Sequence, residues 1–463
     1  MSVETTQLGN YLETFTEFAK DTARETPSWL RELREFAFAR FCSAGFPTTR
    51  DEDWRFTNVA ALARTPFQLA RMTAAQLTVS DLERWRMRGA VARMVFVDGH
   101  FAPSLSTRGV LPDRVTVNSL REEITDNSRA VADHLGRYLD TERDPFCALN
   151  TAFADDGAYV QVGRGVVVEQ PIHLLFISVS SRGPAMTHPR NLIVVEEEGQ
   201  ASIVEEYVSF GTETSAFSNA VTELVAGGNA VVAHTLIERE HLEAYNVSTL
   251  RIEQARGANV ASHSLLLGGG LVRNNVHPVL AGEGGECLIN GLFIGSGRQH
   301  LDNYMLVEHR SPHCNSRQFY NGVLDGRAHG VFHGRIIVHK DAQKTDAKQT
   351  NRNLLLSDDA QIDTKPQLEI HADDVKCTHG ATIGQIAEDA LFYLRSRGID
   401  EAEARRFLLQ AFAGECLDRL NSGALRDYAE AIVQARLLSL GDTASSEAES
   451  SKEDRERNWQ EVG

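Results

Sequence analysis

A repeat of 28 to 29 residues in the middle of the chain limits its fold more than any other feature. Successive units begin at Gly199, Gly228, Gly257 and Gly285 and read GQASIVEEY, GNAVVAHTL, GANVASHSL and GECLINGLF. Each unit combines a tight turn with short strands and is too small to bury a core of its own, so neighbouring units must stack. The period predicts a β-solenoid, with a propeller or a sandwich as the alternatives.

Changes in composition and periodicity divide the chain into four predicted regions. Residues 1–150 are expected to form a mostly helical domain, and residues 151–380 a mainly β region that contains the solenoid core. Residues 381–440 return to helical spacing and are expected to form a small helical domain. Residues 441–463 are rich in charge and poor in apolar side chains, which predicts a disordered acidic tail.

Two helix boundaries can be predicted after the solenoid. The segment EDALFYLRSRG ends at Gly398, a residue type that commonly follows the last turn of a helix. Asp400 and Glu403 form a D-x-x-E signal for the start of a second helix, and ALRDYAEAIVQARLLSL predicts a third.

The overall charge and the cysteine pattern exclude several classes of protein. The chain has 64 acidic and 47 basic residues and a net charge of −17, which would repel a nucleic-acid backbone or an anionic membrane surface. Six cysteines occur without a C-x-x-C pair, so neither a disulfide framework nor a zinc knuckle is indicated. Since no signal peptide or transmembrane run is evident, we expect a cytoplasmic protein that does not insert into membranes.

The stretch HADDVKCTHG, residues 371–380, contains the side chains of a metal site. If it is extended, alternation places His371, Asp373, Cys377 and His379 on one face. Successive residues on that face lie about 6.6 Å apart, which is too far for easy chelation of one ion. We therefore predict an incomplete metal site that is shared at an interface. The alternative is structural, with a buried cysteine and hydrogen-bonded histidines.

Other polar clusters give weaker signals. Two histidine-rich stretches match no ligand spacing and are expected in turns or on the surface: His309, His313 and Cys314, and His329, His333 and His339. No phosphate-binding loop, H-E-x-x-H or G-x-S-x-G motif occurs, so no catalytic residue is predicted. The alternative function is a solenoid enzyme acting on polysaccharide through Asp358, Asp359 and Asp363, although aromatic residues for a sugar groove are only 7% of the chain.

Several uncommon strings resemble one family. Residues 316–384, which include SRQFYNGVLDG, KTDAKQTNRNLLLSDDAQIDTKPQLEIHADDVKCTHG and the following ATIG, together with EDALFYLRSRGI, are similar to the SufB/SufD family of iron-sulfur cluster assembly proteins. The N-terminal GFPTTRDEDWRFTNVAAL is similar to it as well. Leu394 and the absence of clustered N-terminal cysteines resemble the SufD branch. The resemblance implies a right-handed parallel β-helix flanked by helical regions, in agreement with the repeat.

The resemblance also implies a function. Members of the SufD branch are non-enzymatic scaffold subunits that pair with a SufB-like paralogue through the β-helix and bind a SufC-like ATPase through the C-terminal helices. The family's KCxHG string corresponds here to Cys377 and His379, the expected metal-ligating residues. A transient iron-sulfur cluster or iron, shared with SufB, is the implied cargo. Reduced flavin is associated with family complexes, but no residue pattern here indicates where it would bind.

Overall fold

The computed structural model describes residues 3–71, 77–126, 128–179, 183–211, 215–420 and 423–440. Its helices are α1 (Val3–Thr22), α2 (Ser28–Ala44), α3 (Ala60–Arg64), α4 (Leu120–Thr125), α5 (Arg129–His134), α6 (Pro145–Phe153), α7 (Glu388–Ser396), α8 (Glu401–Leu417) and α9 (423–440). The predicted tail, 441–463, lies outside the described residues.

The strands fall into an N-terminal group and a regular series. The first group is β1 (Gln68–Leu69), β2 (Ala92–Val97), β3 (His100–Phe101), β4 (Thr107–Arg108), β5 (Val115–Ser119), β6 (Ala158–Val162), β7 (Ile172–Ser178) and β8 (Ala185–Thr187). The series is β9 (Arg190–Val195), β10 (Gln200–Ser209), β11 (Ala216–Ala226), β12 (Val231–Arg239), β13 (Tyr245–Gln254), β14 (Asn259–Leu266), β15 (Leu271–Leu280), β16 (Glu286–Gly295), β17 (His300–His309), β18 (Asn315–Leu324), β19 (His329–Val338), β20 (Asp346–Leu355), β21 (Gln361–Ile370) and β22 (Lys376–Gly384).

From β9 onward the chain winds as a β-solenoid, which confirms the predicted fold. Successive strands alternate between two parallel sheets, one formed by the odd-numbered strands β9 to β21 and the other by the even-numbered strands β10 to β22. We call these the odd sheet and the even sheet. Each strand therefore pairs with the strand two places earlier and two places later, and one turn of the solenoid contains one strand from each sheet.

The register corrects the glycine alignment read from the sequence. Gln200 pairs with Val231, so the position equivalent to Gly199 in the next turn is Ala230 and not Gly228. The common feature of each corner is a residue with positive φ, and this series is Glu198, Asn229, Gly257, Gly284, His313 and Lys344. Glycine occupies only two of these corners, so the glycines marked the repeat without marking its register.

The N-terminal part contributes to both sheets as well as to the flanking helices. Strand β2 pairs in parallel with β7 at the start of the even sheet, and β5 pairs antiparallel with β6 in the odd sheet. These strands cover the first edges of the solenoid, where unpaired backbone groups would otherwise remain. The expected helical domain before residue 150 therefore also contains strands, and the division of the chain at that position stays a prediction.

A segment from the string DEDWRFTN packs on the outer face of the odd sheet. The guanidinium of Arg273 lies 3.8 Å from the centre of the Trp54 ring and donates to the Asp53 carbonyl at 2.8 Å. Thr57 donates to Asp302, and its hydroxyl lies 2.9 Å from His300 Nε2. This unusual string is therefore explained by its docking on the solenoid.

The C-terminal helices cover the outer face of the even sheet. The predicted start of the second helix is confirmed, because the Asp400 carboxylate accepts a hydrogen bond from Glu403 N at 2.9 Å at the beginning of α8. Apolar side chains of α8 and α9 share one core with the outward side chains of the even strands. Asn290 and Asn321 donate from the sheet to carbonyl groups of α8. In the described part of the chain, no helix is both long and apolar enough to cross a membrane.

Candidate metal site at the open end of the solenoid

Strand β22 carries the two predicted metal-ligating residues and is the last strand of the even sheet. It pairs with β20 on one side, and its other edge has no partner strand among the described residues. Most of its residues are exposed, and β21, the last strand of the odd sheet, is only half-buried along most of its length. The predicted site therefore lies on an uncovered end of the solenoid.

Cys377 and His379 occupy the same face of β22, as strand alternation predicted. Their register partners on β20 are Ala347 and Gln349. Cys377 is half-buried and packs against the core between the two sheets, and burial raises the pKa of its thiol above the usual value. His379 is exposed. One side chain thus presents an accessible imidazole, whereas the neighbouring thiol is held in its protonated form, which is a poor metal ligand.

The first half of HADDVKCTHG is not extended. The prediction that the whole stretch forms one strand with a single ligand face is therefore wrong for this part. Residues 371–375 form the corner between β21 and β22, because the chain must cross there from one sheet to the other. Asp374 forms an ion pair with Lys344 at the preceding corner. His371 and Asp373 are exposed on this corner and do not continue the alternation of Cys377 and His379.

Below His379 a column of buried polar side chains runs into the solenoid, and the sequence analysis did not identify it. Gln349 Nε2 donates to Gln318 Oε1 at 2.8 Å, and both residues are buried. Gly334 on the facing odd sheet leaves the space for this amide, since an added Cβ would lie 1.6 Å from Gln349 Nε2. The available signal was the glutamine at the same position of two successive turns, Gln318 and Gln349.

The described residues contain no group of three His, Cys, Asp or Glu side chains close enough to hold a metal ion. The donors at the open end are therefore an exposed imidazole and a half-buried thiol from this chain. A neutral imidazole is a competent ligand for iron, but two donors leave most of its coordination positions open. Within a single chain the arrangement could hold a metal only weakly.

The two other histidine clusters have structural partners. His329 and His339 lie on or near the outer face of the odd sheet, next to Asp363 and Glu308. His333 is buried beside Gln367 and does not fit the predicted turn or surface role. His313 lies at a corner, as expected. His309 and Cys314 do not fit the predicted turn or surface role, because both are buried: His309 contacts Ser316 Oγ at 2.8 Å and Cys314 Sγ donates to a carbonyl. His309 faces the interior because β17 alternates into the core, and Cys314 is buried at the corner just before β18.

The carboxylates considered for polysaccharide cleavage also have simpler explanations. Asp363 Oδ2 lies 2.8 Å from His329 Nε2 and forms an ion pair with it when that histidine is protonated. Asp358 and Asp359 are exposed residues of the corner between β20 and β21.

Helix α7 exposes aromatic side chains near the same end of the molecule. Phe392 and Tyr393 are 75% and 58% exposed, and α7 has no buried residue. Phe407 on α8 is also exposed. We call these three residues the aromatic patch. Large apolar side chains that are exposed together are typical of a surface that binds another protein.

Comparison with known proteins agrees with the fold. A family model described as "SUF system FeS cluster assembly, SufBD core domain" matches residues 176–412, and one described as "SufBD protein N-terminal region" matches residues 5–174. An iron-sulfur cluster assembly SufBD family protein of Synechocystis is 34% identical over 94% of this chain and 97% of the relative. The iron-sulfur cluster assembly protein SufD of Escherichia coli is 31% identical over 85% of this chain and 90% of its own. The iron-sulfur cluster assembly protein SufD of Bacillus subtilis is 25% identical over 92% of this chain and 97% of the relative. The chain therefore belongs to the SufBD family of iron-sulfur cluster assembly proteins and is a homologue of SufD.

Proposed function

We propose that this chain is the SufD-like, non-catalytic subunit of a SufBCD scaffold on which iron-sulfur clusters are assembled in the cytoplasm. The observation that carries the proposal is the uncovered end of the solenoid, where the described part of the chain supplies no partner strand for one side of β21 and of β22. Unpaired parallel strands readily add strands from another protein, and soluble proteins usually cover such edges. A second solenoid with the same kind of end is a partner of matching geometry.

The side chains at this end support pairing with a SufB-like paralogue. Ile370 on β21 and Ile383 on β22 are 42% and 51% exposed. Ile362, Leu368 and Cys377 pack on the core but remain only partly buried. Joining two solenoids end to end would cover these apolar groups and complete the stack of strands in both sheets. The hydrophobic effect and the new backbone hydrogen bonds would then act in the same direction.

A separate surface is proposed for a SufC-like ATPase, namely the aromatic patch on α7 and α8. Phe392 and Tyr393 are exposed on a helix that buries none of its own residues, so this helix is available to a partner. The division into two surfaces allows one subunit to contact both partners. ATP hydrolysis is assigned to the SufC-like partner, in keeping with the lack of a phosphate-binding loop in this sequence.

The cargo of the interface is proposed to be iron or a nascent cluster, with His379 as the principal ligand from this chain. The imidazole is exposed on the edge strand that would face the partner, and the partner would supply the missing ligands. Cys377 would become a ligand only after loss of its proton, which its burial opposes. Reduced flavin remains a further proposed component of the complex, without assigned residues.

Anaerobic co-purification with SufB-like and SufC-like partners tests this function, using His379→Ala and a matched control, His371→Ala. Both histidines are exposed and lie eight positions apart at the same end of the solenoid, but only His379 lies on the paired strand. We expect all three complexes to assemble with equal stoichiometry. Bound iron and sulfide should fall several-fold for His379→Ala and stay at the wild-type level for His371→Ala.

Cys377→Ser separates the two ligands, because it retains the approximate volume and weakens thiolate coordination. Wild-type iron content in an intact His379→Ala complex would contradict the role of His379 as a ligand. Failure of the wild-type chain to form a complex with a SufB-like partner would contradict the scaffold proposal itself.

A further inference from the structure

A second site is indicated by a cavity of about 280 Å³ that lies far from β22 in the sequence, between α1, the β2–β3 turn, α6 and β8. The apolar part of its lining includes Phe18, Leu69, Phe153 and Met186. Pockets that bind small molecules commonly have an apolar wall and a few placed polar groups. The volume lies just below the usual range of about 300–1,000 Å³, which suits a small ligand of about a dozen non-hydrogen atoms.

His188 supplies a buried hydrogen-bond donor to the lining of this cavity. Asn219 Nδ2 donates to the Phe146 carbonyl at 3.0 Å, which fixes the orientation of the amide, and it lies 3.2 Å from His188 Nδ1. His188 Nδ1 must therefore accept, and the proton of the neutral ring lies on Nε2. Burial lowers the pKa of His188 to about 3, so the ring is neutral. His188 is 5% exposed, and its Nε2 has no partner among the described residues.

Asp98 supplies a buried acceptor to the same cavity. Its Oδ1 accepts a hydrogen bond from Val179 N at 2.8 Å, whereas its Oδ2 has no hydrogen-bond donor in the part of the chain that the structure describes. Asp98 is only 8% exposed, and this burial raises the pKa of its carboxyl group. The nearby His100 also lines the cavity, and its Nε2 lies 3.3 Å from the Ala70 carbonyl. A carboxyl oxygen in the lining of a cavity can accept a hydrogen bond from a ligand that enters it.

The rim adds negative charge. Glu17 and Asp21 of α1 also line the cavity, and among the described residues Glu17 is paired with Arg71 whereas Asp21 has no ion pair. Asp155 also lines the cavity but is already paired with Arg34 and Arg121. The lining therefore carries an excess of carboxylates over free cations, which attracts positively charged ligands.

We propose that this cavity binds a small organic molecule with a primary ammonium group, a hydrogen-bond acceptor and a short apolar body. The ammonium group would donate to Asp98 Oδ2, and the acceptor would receive a hydrogen bond from His188 Nε2. The apolar body would lie against Phe18 and Phe153. This site is separate from the end of the solenoid and does not depend on the proposed role of His379.

Three related probes test the proposal on the full chain by isothermal titration: phenylalaninamide, 3-phenylpropanamide and phenethylammonium. The second lacks only the ammonium group of the first, and the third lacks its carboxamide. Phenylalaninamide is expected to bind with saturation at millimolar concentration or below. The other two should bind at least about ten-fold more weakly, since each leaves one buried group unpaired.

The variant Asp98→Asn tests the carboxylate without disturbing the backbone, because asparagine tolerates the positive φ of 50° at this turn. Asp113→Asn is the matched control, since it removes the same charge from an exposed turn remote from the cavity. Asp98→Asn should weaken phenylalaninamide binding about ten-fold or more, and Asp113→Asn by less than about two-fold.

Equal binding of phenylalaninamide and 3-phenylpropanamide to the wild-type chain would overturn the proposal, because it would show that the cavity recognises only the apolar body. The proposal would also be overturned if no probe gave saturable binding, or if Asp98→Asn and Asp113→Asn bound phenylalaninamide equally well. The comparison between probes uses only the wild-type protein, so it decides the question even if a variant folds poorly.

Discussion

A buried carboxylate joins the last helix to the solenoid, and Tyr428→Phe tests its contribution. Glu206 on β10 is fully buried and accepts hydrogen bonds from Arg239 Nε at 2.6 Å and from the Tyr428 hydroxyl of α9 at 2.8 Å. His173 Nε2 lies 2.9 Å from the same carboxylate. Because phenylalanine keeps the ring and removes the hydroxyl, the variant removes the hydrogen bond to the buried carboxylate together with the one that the hydroxyl accepts from Arg239 Nη2 at 2.9 Å.

We expect Tyr428→Phe to lower the free energy of unfolding by about 1.5–3 kcal/mol, the usual range for hydrogen bonds to charged groups. Tyr393→Phe is the control, because Tyr393 lies exposed on α7 and its substitution should cost less than about 0.5 kcal/mol. Urea unfolding followed by circular dichroism gives both values under the same conditions. A Tyr428→Phe effect no larger than that of Tyr393→Phe would refute the assigned role of this hydrogen bond.

The difference in stability between the wild type and Tyr428→Phe is also expected to depend on pH. Burial raises the pKa of Glu206, but the hydrogen bond with His173 and the charge of Arg239 outweigh it and hold the pKa below its ordinary value of 4.5. A carboxyl whose pKa is lowered on folding stabilises the protein above its unfolded pKa, and this stabilisation is lost as the pH falls through the folded value. The difference between wild type and Tyr428→Phe should thus be constant from pH 7 to about pH 5 and shrink in stronger acid.

Further predictions concern the column beneath His379 and the two proposed partner surfaces. Gly334→Ala should destabilise the chain by about 1–3 kcal/mol in urea unfolding, because its Cβ would displace the Gln349 amide, and most of this cost should disappear in the Gln349→Ala background. Ile383→Asp should weaken binding to a SufB-like partner about ten-fold or more in quantitative pull-down and leave binding to a SufC-like partner unchanged. Phe392→Asp should produce the opposite pattern, and loss of both interactions in either variant would contradict the separation of the two surfaces.

Local sequence patterns were sufficient to predict the general architecture. The repeat near 29 residues required stacked units, and the helical spacing after the solenoid predicted α7, α8 and α9. The alternation around Cys377 correctly placed this residue and His379 on one face. These features depend on residues close together in the chain, so the sequence alone determines them.

The tertiary structure decided what these neighbouring residues can do. Cys377 packs on the core while His379 is exposed, because β22 is the last strand and no further turn covers it. The register of the repeats depends on corner conformations that Asn229 and His313 adopt as well as glycine does, so counting glycines could not provide it.

Contacts between distant parts of the chain were also beyond the sequence. Glu206 and Tyr428 are 222 positions apart, and Asp98 and His188 lie on separate strand connections at one cavity. Each of these polar residues is unremarkable in its local sequence. Only the winding of the solenoid, which brings the N-terminal helices to one of its faces and the C-terminal helices to another, places them in the buried environments that give them distinct chemistry.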